Sequence, residues 1–298
     1  MSAWLPSAPC TPEDCVRPAT STVPVPLRLL RCITGLTVLA VGISLGPLVR
    51  RLPRAQRERL VRVWSRAVAA GFGVRIRSGG DRAAGRGGAL LVANHVSWLD
   101  IALVAAVRPG RMLAKTEVGA WPVLGGLVAR SGTLFIERDR LRSLPGTVEQ
   151  IAAALRRGER VVVFPEGSTW CGRGAGRFRP ALFQAAIDAG VPVLPVTIRY
   201  RTAGGEPTTV SAFVGDDGLL ASVRRVVAAR GLVGEVTVLP PITPGTHPGR
   251  RALADAAQAA VTGSGPAVRE YHLAAAGPHR HPTGERRAAT AGRGSRWS

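Results

Sequence analysis

Residues 89–100 read Ala89-Leu90-Leu91-Val92-Ala93-Asn94-His95-Val96-Ser97-Trp98-Leu99-Asp100. The first five are apolar without a break, the pattern of a strand covered on both faces. Asn94 and His95 make a polar corner, and residues 97–107 then read as a helix. Strand and helix signals keep alternating outward from this segment. Upstream, Val74 to Arg77 is strand-like. Downstream come strand candidates at Met112 to Ala114, Gly132 to Glu137, Val161 to Phe164, Val193 to Tyr200 and Glu235 to Leu239. Between them lie helical patterns at Thr147 to Arg157 (stopped by Gly158), Ala181 to Ala189 (ended by Gly190) and Leu219 to Arg230. The alternation predicts an α/β fold, a mixed, mostly parallel sheet flanked by helices. No internal repeat is present.

An N-terminal membrane-associated helical segment is expected over residues 27–71. Cys32 to Val49 holds no charged residue, lies between Arg28 and Arg31 on one side and Arg50 and Arg51 on the other, and sits at the lower length limit for a membrane span. It begins too far into the chain for an ordinary cleaved signal peptide. Gly35, Gly42 and Gly46 suit a membrane helix better than a soluble one; a buried core helix or an interfacial one are the alternatives. From Arg54 to Gly71, Leu60, Val61, Trp64, Ala67 and Val68 recur at helical spacing with arginine opposite, an amphipathic surface helix. Residues 72–262 form the folded domain. Residues 1–26, rich in Pro, Ser and Thr, and the basic stretch 263–298 read as disordered tails.

The 298 residues carry 40 Lys and Arg against 19 Asp and Glu, a formal charge of +21, which favours anionic partners. Arg50, Arg51, Arg54, Arg57 and Arg59 cluster beside the apolar segment, as expected for attraction to anionic membrane lipid. No nucleic-acid motif appears, so nucleic acid is not expected as a partner. Cys10, Cys15, Cys32 and Cys171 form no C-x-x-C pair, and neither a disulfide framework nor a zinc site is expected. His95 has no second histidine nearby, which argues against a metal centre.

Four segments carry chemistry. His95 lies at a strand-to-helix junction, and Asp100 follows five residues on, a spacing that brings a carboxylate back to the imidazole; helix capping explains such a pair as well. Val161-Val162-Val163-Phe164-Pro165-Glu166-Gly167-Ser168 is a buried strand ending in a polar tip, where function concentrates in α/β sheets. Gly132-Thr133-Leu134-Phe135-Ile136-Glu137-Arg138 ends by presenting Arg138, a natural phosphate contact or an ordinary surface arginine. Val191-Pro192-Val193-Leu194-Pro195-Val196 is an apolar strand framed by prolines, expected to shape an acyl-contacting wall.

In this order the four segments resemble the glycerolipid acyltransferase family, which includes the lysophosphatidic-acid acyltransferases. The resemblance rests on His95 with Asp100, on Gly132 with Phe135-Ile136 and Arg138, on Phe164-Pro165-Glu166-Gly167, and on Val191-Pro192 with Pro195. Lys115-Thr116-Glu117 through Trp121-Pro122 to Gly125 also looks like that family's intervening region. The resemblance implies His95 as general base and Asp100 as its orienter. It implies that Glu166, Gly167 and Ser168 help bind the acceptor, and that Lys115 and Arg138 hold an anionic head group. It further implies transfer of a fatty-acyl group from acyl-CoA or acyl carrier protein to a lysolipid hydroxyl in phospholipid biosynthesis. Neither a metal nor an organic cofactor is implied. The acceptor first in line is 1-acylglycerol-3-phosphate, giving phosphatidic acid. One departure counts against it: many phosphate-acceptor members continue Gly-Thr-Arg, whereas Gly167 here is followed by Ser168 and Thr169, with Arg173, Arg177 or Arg179 as substitutes. A lyso-ornithine lipid is the alternative acceptor.

Without a G-x-S-x-G elbow, direct transfer is expected over a covalent acyl-enzyme. Ser97 reads as a helix-start residue, and Cys171 as a poor candidate nucleophile. The rivals are a lipid hydrolase and a basic membrane-binding protein without catalysis. Arginine beside the span places the domain on the cytoplasmic face of the cell membrane. Oligomeric state is left open.

Overall fold

The computed structural model describes residues 8–80, 87–115, 134–136, 141–263 and 269–270. Seven strands form one sheet: β1 (Val74–Gly80), β2 (Ala89–Ala93), β3 (Arg111–Lys115), β4 (Leu134–Ile136), β5 (Arg160–Val163), β7 (Val193–Arg201) and β8 (Leu232–Val238). Their order is β1-β8-β7-β2-β5-β3-β4, and every neighbouring pair is parallel except β7 with β8. β6 (Gly174–Ala175) pairs separately with β9 (Arg269–Glu270). The helices are α1 (Pro12–Cys15), α2 (Val25–Val49), α3 (Arg54–Gly71), α4 (Asp100–Val107), α5 (Leu144–Arg156), α6 (Gln184–Ala189), α7 (Leu219–Ala228) and α8 (Arg250–Gly263). The mixed, mostly parallel sheet flanked by helices is the architecture that the alternation predicts.

β2 lies at the centre, and all five of its residues are fully buried. Its pleat divides them between two cores. Ala89, Leu91 and Ala93 face Val68, Phe72 and Leu103, whereas Leu90 and Val92 face Ile151, Leu155, Leu253 and Ala257. A strand sandwiched in this way has no polar face, which is why its sequence is an unbroken apolar run.

Three readings change. Residues 8–26 are not a loose tail: Val23 is buried, its N–H donates to Ala228 O, and Arg17 N–H donates to Thr209 Oγ1. Their few apolar side chains find a place on the domain surface, which composition alone does not reveal. The helix expected from residue 97 starts at Asp100, because the Asp100 carboxylate ties down the N–H groups of Val96 and Ser97. α8 had no reading at all; its stripe of Leu253, Ala254, Ala257 and Val261 is hidden in an alanine-rich background. The basic stretch after residue 263 lies outside the described residues apart from β9.

α2 is 25 residues long, with a mean hydropathy of 2.0 over its apolar window, long and apolar enough to cross a membrane. At helical rise it spans about 37 Å, against a hydrocarbon core of about 30 Å. Val25, Leu29, Leu30, Ile33, Leu36, Val41, Leu45 and Leu48 are all exposed, and Gly35 is its one buried residue. The helix starts before the expected Cys32. Its first turns dock on the domain, where Arg31 Nη1 donates to the carbonyls of Val227 and Ala229 at 3.0 and 2.8 Å.

α3 returns along α2, and glycines set the contact. A Cβ on Gly71 would lie 2.8 Å from Gly35 Cα, and one on Gly42 would strike the Trp64 indole. Trp64 Nε1 donates to Val38 O at 2.8 Å. Glu58 of α3 accepts from Arg54, Arg62 and Arg160, fastening the helix to β5. Gly46 has nothing within 4 Å of its would-be Cβ. Gly71→Ala should therefore cost about 1–3 kcal/mol through overpacking, and Gly46→Ala should be neutral or mildly stabilising. Denaturant melts in detergent check this; equal midpoints for the two variants would refute the glycine contact.

Candidate active site

Parallel pairing puts the carboxyl ends of β2, β3, β4 and β5 along one edge of the sheet, the usual place for a ligand site in this architecture. β2 leads there into Asn94 and His95, and β5 into Phe164-Pro165-Glu166-Gly167. Asn94 extends the β2–β7 pairing with its side chain: its amide donates to Ile198 O at 2.9 Å and its Oδ1 accepts from Ile198 N–H at 2.8 Å. Beyond that clamp, His95 O accepts from Trp170 N–H at 2.7 Å, and Val96 O from Phe213 N–H at 2.9 Å. The corner is thus held from three sides.

Asp100 is fully buried at the first turn of α4. Its Oδ2 lies 2.8 Å from His95 Nδ1 and accepts from the N–H groups of Val96 and Ser97 at 2.6 and 2.9 Å. Its Oδ1 accepts from the Tyr200 hydroxyl at 2.6 Å. Such a carboxylate fixes the proton on Nδ1 and leaves Nε2 with its lone pair. The His95 side chain keeps 20% exposure, so it can meet a substrate. Its ring stacks on Phe164 with centroids 4.0 Å apart. Burial beside Asp100 raises the Tyr200 hydroxyl well above the usual range, so it stays a donor.

Glu166 is also buried. Its Oε2 accepts from His95 N–H at 2.8 Å and its Oε1 from Gly176 N–H at 3.1 Å. Burial pushes its carboxyl up to about 8, with the charge of Asp100 adding to the effect and the two N–H donors opposing it. Glu166 thus binds the backbone of His95 and ties together the strand ends of β2 and β5. Gly167 has φ +79°, a conformation that favours glycine, and its N–H closes the turn onto Phe164 O. Ser168 Oγ is buried with no hydrogen-bond partner among the described residues.

The sequence reading and the fold meet unevenly elsewhere. Lys115 ends β3 opposite Ile136 of β4, at the site edge. Arg138 and the segment from Trp121 to Gly125 lie outside the described residues. Of the substitute arginines, Arg173 is spent on Asp14 O and Cys15 O, Arg177 lies 3.7 Å from Asp255, and Arg179 is exposed. The expected acyl wall is not one: Val193, Leu194 and Val196 are fully buried in the sheet cores. Ser97 is fully buried and lies ahead of α4 rather than at its start, with its Oγ accepting from Leu99 N–H at 3.3 Å. Two roles escaped the sequence reading, the Asn94 clamp on Ile198 and the Tyr200 donor to Asp100. Tyr200 had no local signal, since it reaches Asp100 only through the β2–β7 pairing. A cavity of about 580 Å³ behind Val96 is lined by Arg17, Arg199 and Tyr200 but not by His95 or Glu166, so it stands apart from this edge.

A clamped histidine–carboxylate pair at a sheet edge, with the ring still 20% exposed, is an arrangement able to take up and return a proton. Residues 75–199 match the family model described as Acyltransferase. With a relative 40% identical over 245 residues as well, the chain belongs to the acyltransferase family. That relative is a lyso-ornithine lipid O-acyltransferase of Pseudomonas aeruginosa; the match covers 78% of this chain and 91% of that protein. A 1-acyl-sn-glycerol-3-phosphate acyltransferase of Neisseria meningitidis is 39% identical over 176 residues, 59% of this chain and 69% of that protein. The crystal structure of the 1-acyl-sn-glycerophosphate acyltransferase of Thermotoga maritima shares the fold with a TM-score of 0.60 at 19% identity, over 80% of this chain and 94% of that one.

Glu166 gives a pH test. Its folded carboxyl holds a proton more tightly than the ordinary one, which titrates near 4.5. The associated stability is whole below that value and is lost as pH rises through about 8. Glu166→Gln removes this titration. The thermal midpoint of the variant relative to wild type should climb between roughly pH 5 and 9. A difference that stays flat across that range would show that burial does not govern this carboxyl.

Proposed function

We propose that the protein transfers a fatty-acyl group from acyl-CoA or acyl carrier protein to the free hydroxyl of a lysolipid, with His95 as general base and Asp100 as its orienter. The observation that carries this reading is the 2.8 Å contact from His95 Nδ1 to a fully buried Asp100, while the imidazole itself stays partly exposed. Nε2 takes the proton of the acceptor hydroxyl while its oxygen attacks the thioester carbonyl. The tetrahedral intermediate collapses, the C–S bond breaks, and the imidazolium returns the proton to the departing thiolate. General base catalysis of this kind typically contributes about 10²–10⁴-fold. Direct transfer is supported by the burial of Ser97 and Cys171, which keeps both from serving as a nucleophile. No cofactor is needed for these steps.

Ser168, with its unpartnered hydroxyl beside Gly167, is proposed to contact the acceptor, and Lys115 and Arg138 to hold an anionic group. For the acceptor itself we favour a lyso-ornithine lipid. Its support is the Pseudomonas relative, matched over nearly its whole length, together with the missing arginine after Gly167. Thr169, which follows Ser168, is engaged through its hydroxyl with Phe213 O and does not replace that arginine. The Neisseria relative favours 1-acylglycerol-3-phosphate as a second reading. The apolar α2 and the lipid-acting relatives suit membrane association; the arginines after the span favour a cytoplasmic catalytic domain.

Washed membranes carrying the protein, supplied with labelled acyl-CoA or acyl carrier protein and a lysolipid panel, test the proposal. His95→Ala should cut transfer at least about 10²-fold; transfer that survives it would remove His95 from the mechanism. Tyr200→Phe, which takes one donor from Asp100, should lower kcat about tenfold with little change in KM. A KM effect alone would place Tyr200 in binding instead.

A further inference from the structure

We propose that Cys10, Cys15 and Cys171 form a structural zinc site that staples the N-terminal segment to the loop following Glu166. Their chain spacing suggests nothing of the kind. The fold nevertheless brings all three sulfur atoms within 4.8 Å of one another. In a tetrahedral zinc–thiolate centre with Zn–S near 2.3 Å, sulfurs stand about 3.8 Å apart, so closure needs a shift of about 1 Å at most. Water completes the tetrahedron on the side of Cys15, the one partly exposed member; Cys10 and Cys171 are buried.

Local structure aims each thiol inward. Thr11 caps the short turn α1, its Oγ1 accepting from Asp14 N–H at 3.2 Å; Cys10 precedes the cap and Cys15 closes the turn. Gly215, with φ +60°, lets the segment come close: a Cβ there would lie 2.9 Å from Cys10 O. On the other wall, Gly172 has φ +85° and turns the chain so that the N–H groups of Arg173 and Gly174 reach the Cys171 sulfur. N–H groups aimed at a sulfur favour its thiolate, the form that binds metal. Three thiolates around Zn²⁺ leave one net negative charge. Arg173 is beside it, with Nη2 donating to Asp14 O and Cys15 O at 2.9 Å each.

A disulfide accounts for the cluster less well. It joins two sulfurs and leaves the third, whereas here all three converge. Thiophilic zinc uses every one. The consequence is mechanical. Trp170, next to Cys171, donates its N–H to His95 O, so a metal at Cys171 braces the same loop that braces His95.

The test uses the full chain, purified in detergent under reducing conditions. Metal analysis should find about one zinc per chain. Cobalt added to zinc-free protein should give a sulfur-to-cobalt charge-transfer band. That band should vanish in Cys171→Ser and Cys10→Ser and persist in Cys32→Ser. Should the serine variants fail to fold, wild type still decides: a chromogenic thiol reagent should react with three more thiols after chelation than before. Chelation should also expose the chain near Arg17 to limited trypsin cleavage. Purified protein without zinc and without a cobalt band overturns the proposal, as does a Cys10–Cys171 disulfide recovered by peptide mapping.

Discussion

The Asp100 carboxylate sits where two pieces of chain far apart in sequence meet, its own corner and β7. It is fully buried, so its charge is tolerable only because donors surround it. Two are backbone N–H groups from its own corner, one is the Tyr200 hydroxyl from β7, and one is the imidazole of His95. Satisfying that charge decides several things together. It delays the start of α4 to residue 100, holds residues 94–99 as a tight corner, and locks β2 against β7 beyond their last paired residues. Take away the carboxylate and the corner has no reason to keep His95 where it stands.

This arrangement is possible because the rest of the sheet is dull. β2 and β5 are buried on both faces and offer no polar side chain until their ends. Parallel pairing then aligns those ends, so two loops far apart in sequence meet at one edge. α2 and α3 close on each other through Gly35, Gly42 and Gly71, which leaves the outer face of α2 free for a lipid environment. The glycines that weaken α2 as a soluble helix are the ones that let α3 approach.

Much of this was legible in the sequence, and what was not had physical causes. Buried strands show as apolar runs, and their loops show as polar tips, so His95, Asp100, Glu166 and Gly167 stood out by composition at strand ends. The amphipathic α3 showed by its period. Tyr200 did not, because its role depends on strand order, and nothing local to Val193–Arg201 announces that β7 lies beside β2. The prolines of the same strand misled in the other direction: they frame core residues rather than a wall for substrate. Residues 8–26 misled because a segment rich in proline can still dock when a neighbouring surface supplies its hydrogen bonds, as Ala228 and Thr209 do here. The three cysteines were invisible for the same reason, since Cys171 meets the other two only after the N-terminal segment is laid down.

The two buried carboxyls show how one edge separates two tasks. Asp100 accepts four hydrogen bonds, one of them from an ionisable ring. Glu166 accepts two among the described residues, both from backbone N–H groups, and it feels the charge of Asp100 nearby. A like charge close by disfavours ionisation of a buried carboxyl, and burial disfavours it further. Burial, with the nearby Asp100 adding to it, pushes the Glu166 carboxyl up to about 8. The division is useful for the proposed chemistry. Glu166 can then act through shape, fixing the His95 backbone to the loop of β5, while Asp100 acts through charge.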